Sequence, residues 1–424
     1  MAKLNSEKEL IEKISSNQRV FVHGGAATPM NLLNELARQY ERLDNVELIH
    51  LHTMGKLPYL EDKYSGHIRI ANLFVGENVR KSVDYDRIDY IPLFLSEIPN
   101  LFLSGRRPID VALVQVSPPD KHGYCTLGVS VDVALAAVTA CKMVLAQVNP
   151  QMPKVHGDGL IHIDDIDFYI EQDVRLVELT RPKLSDIEIR IGEHVAELVD
   201  DGSTLQMGIG SIPDAVLSAL KNHRDLGIHT EMWSDGALDL IKKGVVTNKK
   251  KAFYPDRTVA GFVMGSRDLY DFIDDNSSVV QLDISYVNRP ENIARNPKVM
   301  AINSAVEVDL TGQICADSIG SRIISGVGGQ MDFIRGASMS HGGKPIIAIP
   351  SRTGKGMSKI VPQLKLGAGV VTTRAHVHYI ATEYGVADLY GKTLRERAKS
   401  LISISHPDDR ETLDRQWYEV MKKI

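Results

Sequence analysis

Hydrophobic positions along the first third of the chain alternate between two spacings. The segments RVFVHGG (19–25) and VELIHLHT (46–53) are nearly continuous apolar runs, a pattern that favours buried strands. Between them, TPMNLLNELARQYERL (28–43) repeats apolar residues at helical spacing. A strand VALVQVSP, a helix DVALAAVTACK and a strand MVLAQVN follow within 111–149. This alternation predicts an α/β protein with mostly parallel sheets.

The strand–turn–helix pattern at the start of the chain returns in the second half. Gly24 and Gly208 each follow a strand-like run, and each precedes a proline and then a helical pattern of leucines. A shorter match pairs ANLFVG (71–76) with AGFVMG (260–265). Matched order of this kind indicates an internal repeat.

The repeat predicts two related α/β domains. We place the N-terminal domain at 1–180 and the C-terminal domain at 186–424. The segment ELTRPKLSD (178–186) joins them, and Pro182 with its charged neighbours suits a linker.

The composition excludes several classes of protein. Of the 424 residues, 43% are hydrophobic and 24% charged, and the net charge is −5, so nothing in the global charge favours nucleic acid or an anionic membrane. The polar start of the chain has no apolar signal core. The most apolar stretch (128–148) contains Asp132 and Lys142, which predicts a buried helix and strand instead of a membrane span.

The three cysteines predict neither a disulfide framework nor a zinc ribbon. Cys125, Cys141 and Cys315 are odd in number and far apart, and they form no CxxC pair. This usage fits the reducing cytoplasm.

A glycine-containing turn in TLQMGIGSIPDAVLSAL (204–220) is a candidate binding site. Gly208 and Gly210 lie between a predicted strand and a helix whose first turn holds Pro213. Such a turn directs backbone N–H groups and the positive end of a helix at one point, which suits an anion or a developing oxyanion. The sequence lacks the third glycine of the dinucleotide fingerprint, and the alternative is a tight βα turn without a ligand, which a lone GxG more often indicates.

Glu231 has unusual neighbours for a surface carboxylate. It stands in HTEMWSDG (229–236), beside one of only two tryptophans, where we expect a strand to end near 230–232. A helix capped by Ser234 or Asp235 and stopped by Gly244 follows. In open α/β sheets, ligands bind at the carboxyl ends of strands. The alternatives are a solvated strand end or a carboxylate held out of water for chemistry.

Two further loops suit a ligand. SGVGGQMDFIRGA (325–337) has Gly328 and Gly329, which allow close backbone approach or supply a positive φ. In 340–362, a cluster of three cations follows a predicted strand and suits either phosphates or a solvated loop. These cations are Arg352, Lys355 and Lys359.

Paired histidines at 50–52 (HLH) and 376–378 (HVH) do not complete a metal site. Each pair would share one face of a strand, but no third ligand stands at a suitable spacing. No GxSxG elbow or P-loop lysine occurs either. We therefore predict no metal site.

Five segments carry a joint pattern that is more specific than any single turn. They are SPPDKHGYCTLGVSVD, GIGSIPDAVLSAL, HTEMWSDG, NPKVMAINSAVEVDLTGQ and VVTTRAHVHYIATEYGVADLYGKTLRERAKSLISISHPDDRETL. Together they resemble the acetyl-CoA hydrolase/transferase branch of the class I coenzyme A transferases over nearly the whole chain. The resemblance implies two related open α/β domains with mostly parallel sheets and the active site between them.

The resemblance also implies roles for individual residues. Glu231 matches the family's nucleophilic glutamate. Contacts with the oxyanion or with coenzyme A are implied for Gly208, Ile209, Gly210, Ser211, Ile212, Asn303, Gly328, Gly329 and Lys355. Lys355 stands in the least distinctive of these segments.

The implied reaction transfers coenzyme A between short-chain carboxylic acids, namely acetyl-CoA with 4-hydroxybutyrate or butyrate. A ping-pong mechanism through a glutamyl–CoA thioester on Glu231 conserves the thioester energy. Coenzyme A is then a substrate, and we expect no resident cofactor, no nucleic-acid or membrane partner, and a cytoplasmic homo-oligomer.

Three alternatives stay open. An acyl-CoA hydrolase would use the same Glu231 and differ only in whether water reaches the intermediate. A dinucleotide-dependent dehydrogenase suits the predicted sheet but not the incomplete glycine fingerprint. A non-enzymatic ligand-sensing module is the third, because related α/β folds serve different functions.

Overall fold

The structure is a computed structural model that describes residues 2–181 and 183–422. Pro182 of the predicted linker lies outside the described residues. The chain forms two compact units. The first comprises Met1–Thr180, Val259–Val287 and Ile324–Gly328, and the second comprises Arg181–Thr258, Asn288–Ile323 and Gly329–Ile424. The contiguous domains 1–180 and 186–424 stay a prediction.

The described residues contain twenty-six short strands. In chain order they are β1 (Ala2–Lys3), β2 (Arg19–Val22), β3 (Val46–Leu51), β4 (Ile68–Phe74), β5 (Ile88–Tyr90), β6 (Val111–Val116), β7 (Tyr124–Thr126), β8 (Met143–Val148), β9 (His156–Gly157), β10 (Leu160–His162), β11 (Phe168–Glu171), β12 (Thr204–Met207), β13 (Gly227–Ile228), β14 (Met232–Trp233), β15 (Thr258–Ala260), β16 (Phe262–Val263), β17 (Val279–Gln281), β18 (Val299–Asn303), β19 (Glu307–Asp309), β20 (Ile314–Cys315), β21 (Ser318–Ile319), β22 (Arg322–Ile323), β23 (Lys344–Ala348), β24 (Ile360–Val361), β25 (Tyr379–Thr382) and β26 (Gly385–Asp388).

The α-helices connect these strands. They are α1 (Glu7–Ile11), α2 (Met30–Arg38), α3 (Ile98–Leu103), α4 (Ala134–Ala140), α5 (Asp186–Ala196), α6 (Ser211–Ala219), α7 (Asp235–Lys242), α8 (Arg267–Ile273), α9 (Ile284–Val287), α10 (Pro290–Ala294), α11 (Gln330–Met339), α12 (Leu394–Ser403) and α13 (Pro407–Met421). Among the residues described, every helix is too short or too polar to span a bilayer.

An eight-stranded sheet organises the first unit. Its order is β1-β11-β8-β6-β2-β3-β4-β5, and all neighbouring strands are parallel. Every residue of β3 and β6 is buried, which explains their continuous apolar runs. Leu10 of α1 and Leu33 of α2 join Val20 and Leu48 in the buried cluster beside the sheet.

A six-stranded sheet organises the second unit. Its order is β13-β12-β18-β23-β25-β26, and every pair is parallel except β25 with β26. α5 begins with a capping box in which Ser185 and Glu188 exchange hydrogen bonds. Ile347 of β23, Leu401 of α12 and Trp417 of α13 belong to its buried core. The predicted α/β class with mostly parallel sheets is confirmed.

The sequence repeat has a structural counterpart in one of its two parts. β2 leads through a turn into α2, as β12 leads through a turn into α6. The shorter match is wrong as a structural equivalence. Residues 71–74 lie in β4 of the eight-stranded sheet, whereas 260–263 span the end of β15 and all of β16, outside both large sheets.

Candidate active site

The carboxyl edge of the six-stranded sheet gathers most of the predicted site residues. β12, β13, β18 and β23 are neighbouring or near-neighbouring parallel strands, so the loops that follow them leave the sheet at one edge. The loop after β12 contains Gly208–Gly210, and the loop after β13 contains Glu231. Asn303 ends β18, and Lys355 follows β23.

The turn at Gly208–Gly210 presents unpaired backbone donors. In the part of the chain that the structure describes, no protein acceptor binds the N–H groups of Gly208, Ile209 or Gly210. Gly210 has φ +120°, a conformation that only glycine adopts without strain, and a Cβ on Gly208 or Gly210 would meet no atom within 4 Å. The donors therefore lie open, immediately before the N-terminus of α6.

Ser211 and Ile212 present only their backbone to such a site. The hydroxyl of Ser211 donates to the carboxylate of Glu188 on α5. The side chain of Ile212 is 8% exposed and belongs to the core. Any contact of these residues with a ligand would involve the N–H groups of the first helical turn.

The strand that precedes Glu231 is shorter than predicted. β13 ends at Ile228, not near 230–232. At Thr230 the side chain, instead of the backbone, binds the neighbouring strand β12. Its hydroxyl lies 3.1 Å from the carbonyl oxygen of Met207 and accepts the Met207 N–H at 3.3 Å. The segment 229–231 is thereby attached to the end of β12, next to the glycine turn.

Glu231 is half-buried and contacts an amide that the sequence did not single out. Asn288 is fully buried, and its Nδ2 donates to Glu231 Oε2 at 3.2 Å and to Asp332 Oδ2 at 3.3 Å. Met232 and Trp233, the residues after Glu231, are 4% and 2% exposed. Asn288 stands in an ordinary YVNRP stretch with no recognisable spacing, so no sequence signal marked it.

Gly329 approaches the Glu231 carboxylate closely. A Cβ on Gly329 would lie 2.0 Å from Glu231 Oε2 and 2.2 Å from Asn288 Nδ2, so no larger residue fits without displacing both. Gly328, which the resemblance groups with Gly329, has other neighbours. It has φ +58°, its carbonyl accepts the N–H of Leu95, and a Cβ there would lie 3.6 Å from Phe74.

Asn303 pairs with a side chain on the neighbouring strand. Its Nδ2 donates to Gln206 Oε1 at 2.9 Å, and Gln206 Nε2 lies 3.4 Å from Asn303 Oδ1. The carbonyl of the next residue, Ser304, accepts a hydrogen bond from Gln330 Nε2 at 2.7 Å. Asn303 therefore has a fixed amide at the end of β18, half-exposed at the carboxyl edge.

Two of the three cations in 340–362, Arg352 and Lys359, are bound to protein groups. Arg352 binds both carboxylate oxygens of Asp409, at 2.8 and 2.6 Å, because its guanidinium fork matches a carboxylate. Lys359 donates to the carbonyl of Ala305 at 2.9 Å, and burial lowers its pKa to about 8. Lys355 alone of the three is exposed, in a turn closed by the Thr353 N–H to Met357 carbonyl bond.

His50 of the first histidine pair lies in the core, and so do Cys125 and Cys315. His50 lies 3.3 Å from the Thr53 hydroxyl and 3.1 Å from the Tyr59 hydroxyl, and burial lowers its pKa to about 3. Within residues 2–181 and 183–422, no three His, Cys, Asp or Glu side chains are grouped to hold a metal. The cysteines are free thiols, and burial raises the pKa of Cys125 to about 12.

Known proteins resemble this chain over nearly its full length. The family models for the acetyl-CoA hydrolase/transferase N-terminal and C-terminal domains match residues 1–180 and 265–417. The 4-hydroxybutyrate coenzyme A transferase of Clostridium kluyveri is 50% identical, with 97% of this chain and 96% of the relative covered. The succinyl-CoA:acetate/propanoyl-CoA:succinate CoA transferase of Fasciola hepatica is also 50% identical, covering 96% of this chain and 86% of the relative.

A solved structure extends this likeness to the backbone. The crystal structure of RipA from Yersinia pestis superposes with a TM-score of 0.93 and 33% identity, over 99% of this chain and 98% of that one. The resemblance that the sequence motifs indicated is thus confirmed over both halves. The chain belongs to the acetyl-CoA hydrolase/transferase family.

Proposed function

We propose that the protein transfers coenzyme A between short-chain carboxylic acids, with acetyl-CoA and 4-hydroxybutyrate or butyrate as substrates. The observation that carries the proposal is the position of Glu231 in the second unit. Its carboxylate is half-buried, receives one amide N–H from Asn288 and lies against Gly329. The Gly208–Gly210 turn, whose N–H groups lie open, follows β12 at the same edge of the sheet. The relatives named as CoA transferases support the same reaction class.

The first half-reaction begins with the Glu231 carboxylate. One of its oxygens attacks the thioester carbonyl of acyl-CoA, the C–S bond breaks, and coenzyme A leaves as thiolate from a mixed anhydride. The thiolate then attacks the Glu231 acyl carbon. The anhydride C–O bond breaks, the first acid leaves as carboxylate, and a glutamyl–CoA thioester remains. The thioester energy is retained throughout.

The second half-reaction repeats these steps in reverse. The acceptor carboxylate attacks the glutamyl thioester carbonyl and expels the thiolate, which then attacks the acceptor side of the new anhydride. Acyl-CoA of the acceptor leaves and Glu231 is regenerated as carboxylate. Because the first acid departs before the second enters, the kinetics are ping-pong. The exchange involves no net oxidation or reduction, so we assign coenzyme A as a substrate and propose no resident cofactor.

Each tetrahedral intermediate places negative charge on a former carbonyl oxygen. We assign its stabilisation to the N–H groups of Gly208, Ile209 and Gly210, with the N-terminal N–H groups of Ser211 and Ile212 behind them. A fixed donor of this kind contributes about 3–4 kcal/mol to transition-state binding. Since these N–H groups have no acceptor among the described residues, no hydrogen bond within that part of the protein is broken when the oxyanion forms.

The remaining site residues are assigned to coenzyme A and the acyl group. The amide of Asn303 is already oriented by Gln206 and suits the thioester region. Gly328 supplies close backbone approach, and Lys355 supplies a positive charge for a phosphate of coenzyme A. Homo-oligomeric assembly and a cytoplasmic location stay predictions.

Intact-mass analysis after adding acetyl-CoA without an acceptor tests the proposal. We expect a covalent adduct with the mass of coenzyme A less water, lost when acetate or butyrate is added. Glu231→Ala should form no adduct and should lose transferase turnover, because no other carboxylate replaces the nucleophile. An adduct on Glu231→Ala, or full turnover by that variant, would refute the assignment.

Hydrolysis of acyl-CoA by the same Glu231 is the second candidate, since the family model includes hydrolases. Water in place of the acceptor carboxylate would release free acid at a rate that does not depend on acceptor. A transferase releases stoichiometric acid once and then requires acceptor for each further turnover. Multiple turnovers without acceptor would favour the hydrolase. A sensing module would show neither adduct nor turnover.

A further inference from the structure

β13 lies at an edge of the six-stranded sheet, and the backbone N–H and C=O of its last residue, Ile228, point away from the sheet. Among the described strands of this sheet, β13 is one of the two edge strands, and β26 is the other. The N–H groups of Gly227 and His229 bond to carbonyls of the β12 side, at 2.9 and 3.1 Å. In a parallel ladder, the intervening residue, Ile228, therefore directs its N–H and C=O outward. Ile228 is fully buried, so both groups need partners.

Two side chains from the segment after α7 take the place of the missing strand. Asn248 Oδ1 accepts the N–H of Ile228 at 2.8 Å, and Lys251 Nζ donates to the carbonyl of Ile228 at 2.8 Å. Asn248 has φ +60° and is itself fixed by its bond to the Thr258 hydroxyl at 3.1 Å. The last residue of β13 thus has a complete set of hydrogen bonds.

Lys251 is buried without a counter-charge. Its side chain is 3% exposed and crosses Gly227, where a Cβ would lie 2.6 Å from Lys251 Cγ. Its ammonium also donates to the carbonyl of Arg257 at 2.6 Å, and in the described chain it forms no ion pair. Burial lowers its pKa to about 7. Because burying a cation costs free energy, packing alone would favour an apolar side chain here.

The segment held by Lys251 leads directly to Glu231. After Ile228, the His229 ring packs against Phe253 at a centroid distance of 5.7 Å, and Thr230 binds the backbone of Met207. The carbonyl of Ile228 is therefore the N-terminal fixed point of the short loop that carries the carboxylate. We propose that Lys251 is a positioning residue for Glu231, acting through the carbonyl of Ile228; this rests on the proposed function.

Lys251→Met tests the role, because it keeps an unbranched side chain that is only one heavy atom shorter and removes the N–H donors. We expect kcat and the single-turnover rate of glutamyl–CoA formation to fall by about tenfold, the effect of losing one hydrogen bond to a charged donor. The KM for acetyl-CoA should not change, since Lys251 contacts no substrate. Lys250→Met, an exposed neighbour, is the matched control and should behave as wild type.

The outcomes separate this inference from the proposed function. If wild type forms the adduct and folded Lys251→Met forms it at the same rate, the positioning role is refuted and the function stands. If wild type forms no adduct, the proposed function itself fails. Circular dichroism verifies folding, and Lys251→Gln is measured where Lys251→Met does not fold. Failure of both variants to fold would also overturn the inference, because Lys251 would then serve stability alone.

Discussion

A neutral amide, shared between two carboxylates, orients Glu231. Asn288 donates one N–H to Glu231 and the other to Asp332, at 3.2 and 3.3 Å. A lysine or arginine in its place would bind Glu231 more strongly, but a bound cation would also reduce the nucleophilicity of the carboxylate. An amide fixes the oxygen without neutralising its charge, which suits attack on a thioester carbonyl.

Gly329→Ala tests the close approach of this residue to the nucleophile. The added methyl group would lie 2.0 Å from Glu231 Oε2 and 2.2 Å from Asn288 Nδ2, so both side chains have to move. Because Asn288 is fully buried, the unfolding midpoint should also fall, and rates are compared at a temperature where the variant is folded. We expect adduct formation to fall by about a hundredfold, the usual cost of displacing a reacting group by 1 Å. Stopped-flow release of coenzyme A and intact mass measure it.

Gly354→Ala provides the matched control for that substitution. Gly354 lies in the exposed turn near Lys355, its φ is not positive, and a Cβ there would meet no atom within 4 Å. The control should keep wild-type turnover. Wild-type rates in Gly329→Ala would contradict the close approach of Gly329 to the nucleophile.

At the scale of elements, the lysine that supports the end of β13 makes stability depend on pH. Burial holds the pKa of Lys251 near 7, whereas the unfolded chain keeps the ordinary value of 10.5. Between these values the unfolded state binds more protons, so stability rises as pH increases. The contribution of Lys251 from pH 7 to pH 9 is about 2 kcal/mol. Lys251→Met should lack this part of the rise.

Urea unfolding of both proteins at pH 7 and pH 9 measures that difference. Other groups titrate in the same window, so the informative quantity is the change in free energy of unfolding for wild type minus the change for the variant. Lys250→Met again serves as control, since its ammonium is exposed in the folded protein. Equal pH dependence in wild type and Lys251→Met would mean that Lys251 titrates normally in the folded state.

Most strands and helices could be predicted from the sequence. The side-chain contacts that position Glu231 could not. Apolar runs such as 46–51 and 111–116 indicated buried parallel strands because both faces of those strands are covered. The end of β13 differs from the predicted one because Thr230 binds Met207 through its hydroxyl, a contact between residues 23 positions apart. Asn288 reaches Glu231 across 57 positions, a distance that no local pattern encodes.

At the scale of the whole molecule, the order of the chain does not follow the two units. The segments Val259–Val287 and Ile324–Gly328 belong to the first unit although they come late in the sequence. Strand–helix alternation predicts the class of fold, but it carries no information on which compact unit a later segment joins. The glycine pair illustrates the consequence: Gly328 contacts residues of the first unit, and Gly329 contacts Glu231 of the second.

The negative net charge of the whole protein means that the phosphates of coenzyme A have to be bound by local cations. The net charge of −5 opposes a polyphosphate ligand, and both Arg352 and Lys359 are bound to protein groups. Lys355 is then the exposed cation of its loop. We expect Lys355→Ala to raise the KM for acetyl-CoA by about two- to fivefold, as an exposed charge pair contributes little in water.

Salt and a matched lysine make this last prediction specific. The kcat should stay constant, because Lys355 binds the ground state and the transition state equally. The difference in KM from wild type should shrink as ionic strength rises, since exposed charges are screened within about 10 Å at 0.1 M salt. Lys221→Ala changes an exposed lysine that follows the C-terminus of α6, outside the loop of Lys355. This variant should leave the KM for acetyl-CoA unaltered. A fall in kcat would instead place Lys355 in contact with the reacting atoms.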